Sequence, residues 1–238
     1  MAFEPKFQVS PYYLLKENWL VKRNSLDLRQ GYGAEVTNKM NGGFCLWLTG
    51  LSASGKTTIA RLMENSLLAR GLKVQVLDGD VIRTNLSEGL GFTRADREIN
   101  LRRIAFVAEL LVRHGIVVVV SAITPYQSMR EEVRSKIGAF VEVYLNCPLE
   151  ICIQRDPKGL YRKALAGQIQ NFTGIDDPYE TPEHPEIELK THEESPERCL
   201  DQILTILEAL KKIPSRPEGF SAEKTRELEK PRNNFCFN

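Results

Sequence analysis

The string Gly50-Leu51-Ser52-Ala53-Ser54-Gly55-Lys56-Thr57 constrains the fold more than any other stretch of the chain. It follows Phe44 to Thr49, an apolar run of strand character, and precedes Ile59, Leu62, Met63 and Leu67, which recur at helical spacing up to a closing Gly71. A loop of the pattern G-x-x-x-x-G-K-[ST] between strand and helix turns successive backbone N–H groups around phosphate oxygens, with the positive end of the helix beneath them. Lys56 then reaches the β- and γ-phosphates and the Thr57 hydroxyl can ligate Mg²⁺, so Gly50 to Thr58 is the expected ATP-binding stretch.

The rest of the chain alternates strand and helix. Leu72 to Leu77 reads as a strand that delivers Asp78-Gly79-Asp80 at its carboxyl end, the side on which open α/β sheets bind ligands. A helix is expected from about Glu98 to His114. The unbroken β-branched run Ile116 to Val120 reads as a strand covered on both faces, in the middle of the sheet. Beyond it come an expected helix over Ser128–Ile137, a strand over Phe140–Leu145, a polar helical lid over Leu149–Ile169, a strand over Glu186–Leu189 and a closing helix over Pro196–Lys212. This order predicts an α/β, three-layer P-loop NTPase fold of the kinase type, with a central parallel β-sheet and right-handed crossovers.

The expected domain runs over 43–213. Residues 1–42 form an N-terminal extension, whose Tyr12 to Leu15 and Trp19 to Val21 could pack as a short helix or an arm, and 214–238, rich in charge and proline, is expected to be a disordered tail.

Composition excludes several classes. With 32 basic and 31 acidic residues the formal charge is +1, so no global field recruits nucleic acid or an anionic membrane. Five scattered cysteines without a C-x-x-C pair argue against a disulfide framework or a zinc site, and fit a reducing cytoplasm. The sequence shows neither a signal-peptide pattern nor the ~20-residue apolar run of a membrane span, so a soluble cytoplasmic protein is expected. The three histidines, His114, His184 and His192, have no metal-ligand spacing.

The phosphate loop alone does not separate kinases from GTPases. Asn38-Lys39-Met40-Asn41, the nearest string to a guanine-reading N-K-x-D, lacks the acid and precedes the loop. A kinase needs an acceptor site, and Asp78 and Asp80 are its candidates: one carboxylate to hold Mg²⁺ through water, and Asp80 to orient the attacking hydroxyl.

Longer strings carry a family resemblance. Asp78-Gly-Asp-Val-Ile-Arg83, Leu90 through Arg103, Ser121-Ala-Ile-Thr-Pro-Tyr126, Arg155-Asp-Pro-Lys-Gly-Leu-Tyr161 and Asn171 through Glu180 together resemble the adenylylsulfate (APS) kinase family over about Phe44 to Leu210. The resemblance implies transfer of the γ-phosphate of ATP to the 3′-hydroxyl of adenosine 5′-phosphosulfate, giving 3′-phosphoadenosine 5′-phosphosulfate and ADP. It implies Mg²⁺, a homodimer, and functional coupling to ATP sulfurylase. Carried over by position, Arg83, Arg97 and Asn100 would grip the phosphosulfate and ribose, while Phe92 and Phe172 would sandwich the adenine. Ile123 and Thr124 would supply backbone contacts, Lys158 would approach the transferring phosphate, and Arg155 and Asn171 join the ATP and acceptor sites respectively. Taken singly, Phe92 and Phe172 read as ordinary core aromatics.

Some positions depart from the family pattern. Ala53 replaces a usual glycine, Val81 a common asparagine and Thr84-Asn85 the usual His-Gly, while Thr124 stands where some members carry a phosphorylatable serine. Thr124 is therefore a candidate site for a covalent phosphoenzyme intermediate. Two alternatives stay open: a kinase for another small hydroxyl acceptor, and a regulatory nucleotide-binding module without turnover.

Overall fold

The computed structural model describes residues 42–215. The expected extension and tail, with the Tyr12–Leu15 and Trp19–Val21 clusters and the Asn38–Asn41 string, lie outside them, apart from Gly42, Pro214 and Ser215. Five strands, β1 (Cys45–Thr49), β2 (Val74–Asp78), β3 (Val117–Ser121), β4 (Phe140–Asn146) and β5 (Ile187–Lys190), form one parallel sheet in the order β2-β3-β1-β4-β5. The connecting helices are α1 (Lys56–Ala69), α2 (Gly79–Asn85), α3 (Arg94–Arg113), α4 (Gln127–Ile137), α5 (Leu149–Arg155), α6 (Leu160–Leu165) and α7 (Pro196–Ala209). Strand β1 is the centre, between β3 and β4, and every residue in it is buried.

Strand alternation divides the core between the two faces of the sheet. Leu46, Leu48, Val117 and Val119 pack with Ile59, Met63 and Leu67 of α1 and Ile203 and Leu207 of α7. The residues between them, Cys45, Trp47, Val118 and Val120, pack with Ile104 and Ala108 of α3 and Met129 and Val133 of α4. A third cluster, Cys147, Cys152, Tyr161, Ala164 and Phe172, sits under α5 and α6.

Several element boundaries differ from the sequence reading, two of them for local chemical reasons, and the helix over Gly79–Asn85 is not among those expected. Helix α3 starts at Arg94, because the Thr93 hydroxyl caps it by accepting from the N–H of Asp96 at 3.2 Å. The expected single lid helix is two short ones, broken at Asp156-Pro157, where proline lacks an N–H. The Asp156 carboxylate accepts from the N–H groups of Tyr161 and Arg162 at 3.1 and 3.0 Å and so starts the second piece. Helix α7 ends at Ala209, before the expected Lys212. Among the described residues no helix is long and apolar enough to cross a membrane.

Burial is not wholly apolar. Arg130 of α4 and Glu142 of β4 are 1% and 5% exposed and lie 3.4 Å apart, with Arg134 adding a second contact to Glu142 at 3.1 Å. Breaking such a pair on one side strands a charge, which makes it costlier to lose than its net stabilising contribution suggests.

The chain enters the sheet through a tight junction. A Cβ on Gly43 would stand 2.4 Å from the carbonyl oxygen of Ile116 and 2.6 Å from that of Val112, both backbone atoms that cannot swing aside. Gly43→Ala should therefore destabilise the fold by about 1–3 kcal/mol, the range for overpacking. A fall in the urea midpoint at unchanged slope is the expected result, and an unchanged midpoint would show that the junction yields.

Candidate active site

The carboxyl ends of β1, β2 and β3 lie side by side, with Asp78 paired to Ser121 and Leu48 to Ser121 in the sheet register. The loops that follow open on a single cleft of about 1360 Å³. Of the candidate catalytic, metal-holding and ligand-binding residues named from sequence, all but Gly50, Leu51 and Asn171 line it. The carbonyls of those three accept from lining side chains, Gly50 and Leu51 from Lys56 and Asn171 from Arg97.

The phosphate loop is held by its carbonyls. Lys56 Nζ donates to the carbonyls of Gly50 and Leu51 at 2.9 and 2.6 Å, and Tyr161 Oη to that of Ser52 at 3.1 Å. Arg155 donates to the carbonyl of Ala53 at 3.4 Å, and Thr191 Oγ1 to that of Ser54 at 2.9 Å. In a trans peptide the N–H points opposite to the C=O, so carbonyls taken up by these side chains leave loop N–H groups free for a ligand, apart from that of Ser54, which donates to the Leu51 carbonyl at 3.2 Å. The conformation needs positive φ at Gly50 (149°) and Gly55 (99°), and a Cβ on Gly50 would meet the Leu145 carbonyl at 2.8 Å. Ala53 also has positive φ, 60°, where a side chain costs about 1–2 kcal/mol relative to the right-handed region. The family's usual glycine is free of that cost.

Lys56 is buried, and desolvation lowers its pKa from 10.5 to about 8. Ser54, fully buried in the same loop, has a hydroxyl without a hydrogen-bond partner.

Opposite the loop, the Asp78 carboxylate accepts from Thr57 Oγ1 at 3.1 Å and from the N–H of Asp80 at 2.9 Å. It thus caps α2 and faces the phosphate loop at once. A hydroxyl and a carboxylate at this separation are the hard oxygen donors that suit Mg²⁺, which takes few protein ligands and completes its shell with phosphate and water. Among the described residues no cluster of three or more His, Cys, Asp or Glu side chains that could hold a metal occurs. Asp80 is exposed and pairs with Lys158, so α2 meets the α5–α6 connection across the mouth of the cleft.

The other wall is basic and aromatic. Arg83 donates to the Gly91 carbonyl at 2.7 Å and lies 4.8 Å from the centre of the Phe92 ring. Arg97 donates to the carbonyls of Phe92 (2.9 Å) and Asn171, and so ties the start of α3 to the 171–180 loop. Burial lowers the pKa of both guanidinium groups, and their mutual repulsion adds to the effect on Arg83. An anion placed between them would relieve both penalties. Asn100 is buried, and its Oδ1 lacks a partner in the cleft wall. Phe172 is 6% exposed and packs edge-on against Tyr161 at 5.1 Å, but Phe92 is 45% exposed, which a core aromatic would not be.

Thr124 lies at the back of this wall with its hydroxyl engaged. It is 1% exposed and accepts from Trp47 Nε1 at 2.8 Å. The neighbouring Ile123 carbonyl accepts from Thr49 Oγ1 at 2.6 Å. The departing residues Thr84 and Asn85 bond back to their own helix, at the carbonyls of Asp80 (3.1 Å) and Val81 (2.8 Å).

Sequence reasoning missed the groups that shape the site from outside. Asp176 accepts from the N–H groups of Asn171 and Phe172 at 2.7 and 2.5 Å, and Asp177 accepts from Tyr126 Oη at 2.7 Å. Tyr179 Oη meets Thr49 Oγ1 at 3.0 Å. All three lie in the string Asn171–Glu180 that carried the resemblance, yet their partners are from 4 to 130 residues away and spacing does not reveal them. Thr191 to Glu194 line the nucleotide end of the cleft, and no motif marked them.

Several known proteins similar to this chain carry the same name. The family model of adenylylsulphate kinase matches residues 42–190. An adenylyl-sulfate kinase of Synechococcus sp. (strain JA-3-3Ab) is 58% identical over 165 residues, 69% of this chain and 94% of the relative. A probable bifunctional SAT/APS kinase of Sorangium cellulosum is 52% identical over 174 residues, 73% of this chain but 30% of that one. Among solved structures, the Mycobacterium tuberculosis APS kinase in complex with AMPPNP and APS superposes with a TM-score of 0.67 at 44% identity, covering 71% of this chain and 99% of that one. The phosphate loop, the acids facing it and the arginine–aromatic wall thus lie inside a match that spans more than half of the sequence, and this chain belongs to the adenylylsulphate kinase family.

Proposed function

We infer that the protein transfers the γ-phosphate of ATP to the 3′-hydroxyl of adenosine 5′-phosphosulfate, releasing ADP and 3′-phosphoadenosine 5′-phosphosulfate. The observation that carries this reading is one cleft of about 1360 Å³ with a phosphate cradle on one side and an arginine–aromatic wall on the other. That exceeds the roughly 300–1,000 Å³ of a site for one small ligand and has room for donor and acceptor together.

Each group then has a task. The loop N–H groups and Lys56 hold the donor phosphates, and Arg155 braces the loop through the Ala53 carbonyl. Thr57 and Asp78 would hold Mg²⁺, which offsets charge on the phosphates. Arg83 and Arg97 meet the phosphosulfate, Asn100 offers its unpaired oxygen to a hydroxyl or amine of the acceptor, and Phe92 and Phe172 flank the adenine. Asp80 orients the attacking hydroxyl once the acceptor separates it from Lys158, which is then available to the transferring group. The Thr124 hydroxyl is held by Trp47 inside the wall, which favours direct transfer over a phosphoenzyme and leaves Thr124 a positioning role. The buried free cysteines among the described residues fit a reducing cytoplasm. The bifunctional relative supports coupling to a sulfurylase, and a homodimer is the proposed assembly.

The direct test measures ADP release from Mg-ATP with APS, adenosine 5′-monophosphate or no acceptor, and identifies the product by mass. APS-dependent turnover to a 3′-phosphorylated nucleotide is expected. Turnover only on another acceptor would replace the substrate assignment, and tight binding without turnover would leave a regulatory module. Asp80→Ala should keep nucleotide affinity within about twofold while slowing transfer at least ~10²-fold. A near-normal rate would remove Asp80 from the chemistry.

Lys56 predicts the pH dependence. Bound phosphates favour its cationic form, whereas in the free protein burial brings the pKa to about 8. Nucleotide affinity should be flat below that pH and weaken by up to about tenfold per unit above it, with proton uptake on binding. The same depressed pKa costs the free fold stability below about pH 8, a cost relieved as pH rises toward 10.5. Titration calorimetry in buffers of different ionisation enthalpy measures the uptake; affinity independent of pH between 7 and 9.5 would show that Lys56 stays charged.

A further inference from the structure

Thr124 combines two features that seldom coincide. It is β-branched, and its φ is 46°, in the left-handed region that such residues avoid. A backbone in this state persists only where its surroundings over-determine it.

The surroundings are specific. Trp47, 0% exposed in the central strand, directs its indole N–H at the Thr124 hydroxyl, 2.8 Å away. Arg130, 1% exposed, donates to the Thr124 carbonyl at 3.0 Å, and is itself fixed by Gln127 Oε1 at 2.7 Å and by Glu142 at 3.4 Å. The flanking carbonyls are also taken, that of Ile123 by Thr49 and that of Pro125 by the N–H of Glu180 at 2.8 Å. Three successive carbonyls are therefore pinned from the protein side. Pro125 has no N–H, and no acceptor among the described residues takes the N–H of Ile123 or Thr124. Those two donors lie in the part of the chain that lines the cleft.

We propose that Trp47 and Arg130 are positioning residues: together they hold Thr124 in its left-handed conformation and thereby aim the N–H groups of Ile123 and Thr124 at the acceptor nucleotide. Neither side chain is among the residues lining the cleft. Trp47 acts through the hydroxyl and Arg130 through the carbonyl, and Glu142 and Arg134 keep the guanidinium in place from behind. The phosphate loop does not depend on this clamp, so its loss should weaken acceptor binding and spare ATP. The proposal rests on the reading that this wall of the cleft receives APS.

The test is a double-mutant cycle on Trp47→Phe and Thr124→Val, with KM for APS and for ATP measured separately. Loss of one buried hydrogen bond should raise KM for APS about tenfold in Trp47→Phe and leave KM for ATP within about twofold. Both substitutions break the same bond, so the double variant should be no worse than the worse single one. Equal rises in both KM values, or fully additive effects, would overturn the assignment, since that is how general damage to the core behaves. Thr124→Val leaves the core strand intact and supplies the comparison if Trp47→Phe folds poorly. A crystal structure of either variant gives a readout that needs no activity: Thr124, or Val in its place, should leave the left-handed region, and φ remaining near 46° would overturn the clamp. Wild-type protein that fails to turn over APS would instead sink the substrate reading, and the same φ comparison would still decide the clamp.

Discussion

The phosphate loop can present its N–H groups to a ligand only because its carbonyls are satisfied elsewhere. Lys56, Tyr161, Arg155 and Thr191 engage the carbonyls of five consecutive residues, Gly50 to Ser54, and they come from four different parts of the chain. An unpaired buried carbonyl costs free energy on the scale of a lost hydrogen bond, so this set of donors is what makes an inward-facing ring of amides tolerable. The α5–α6 segment is in this sense part of the phosphate site. Its apolar cluster, Cys147, Cys152, Tyr161 and Phe172, includes the donor Tyr161 and one of the two aromatic rings of the arginine–aromatic wall.

The arginine–aromatic wall follows the same rule with opposite polarity. There the crowded groups are cations, Arg83 and Arg97, partly desolvated and fixed by backbone carbonyls rather than by carboxylates. A wall of this kind is poised for an anion with at least two charged oxygens. Asp80 and Lys158 neutralise each other between the two halves, at the mouth of the cleft. Both are more than half exposed, so water screens their attraction and little free energy opposes separating them when a ligand enters.

Strain is distributed unevenly over the site. Ala53 in the phosphate loop and Thr124 in the opposite wall both carry a side chain at positive φ. The alanine costs its loop a little by comparison with glycine. The threonine is held from its hydroxyl and its carbonyl, which is why its conformation can be used for positioning.

Much of this was legible in the order of residues. The glycine–lysine loop between an apolar run and a helical stretch, the acids after the second strand and the β-branched third strand dictate a parallel sheet with its ligands at one edge, because strand period, loop chemistry and crossover handedness are local rules. The long strings that carried the family resemblance also named the arginines, Asn100 and both phenylalanines, which line one cleft with the phosphate loop. Tertiary structure alone decided the rest. Which donor satisfies which loop carbonyl, that Phe92 is open while Phe172 is packed, that the Thr124 hydroxyl belongs to Trp47, and that Asp177 ties the 171–180 loop to Tyr126 all depend on side chains from distant elements meeting in space. Spacing along the chain cannot encode those meetings, since a hydrogen bond 77 residues long, like that from Trp47 to Thr124, exists only once the sheet has brought its ends together.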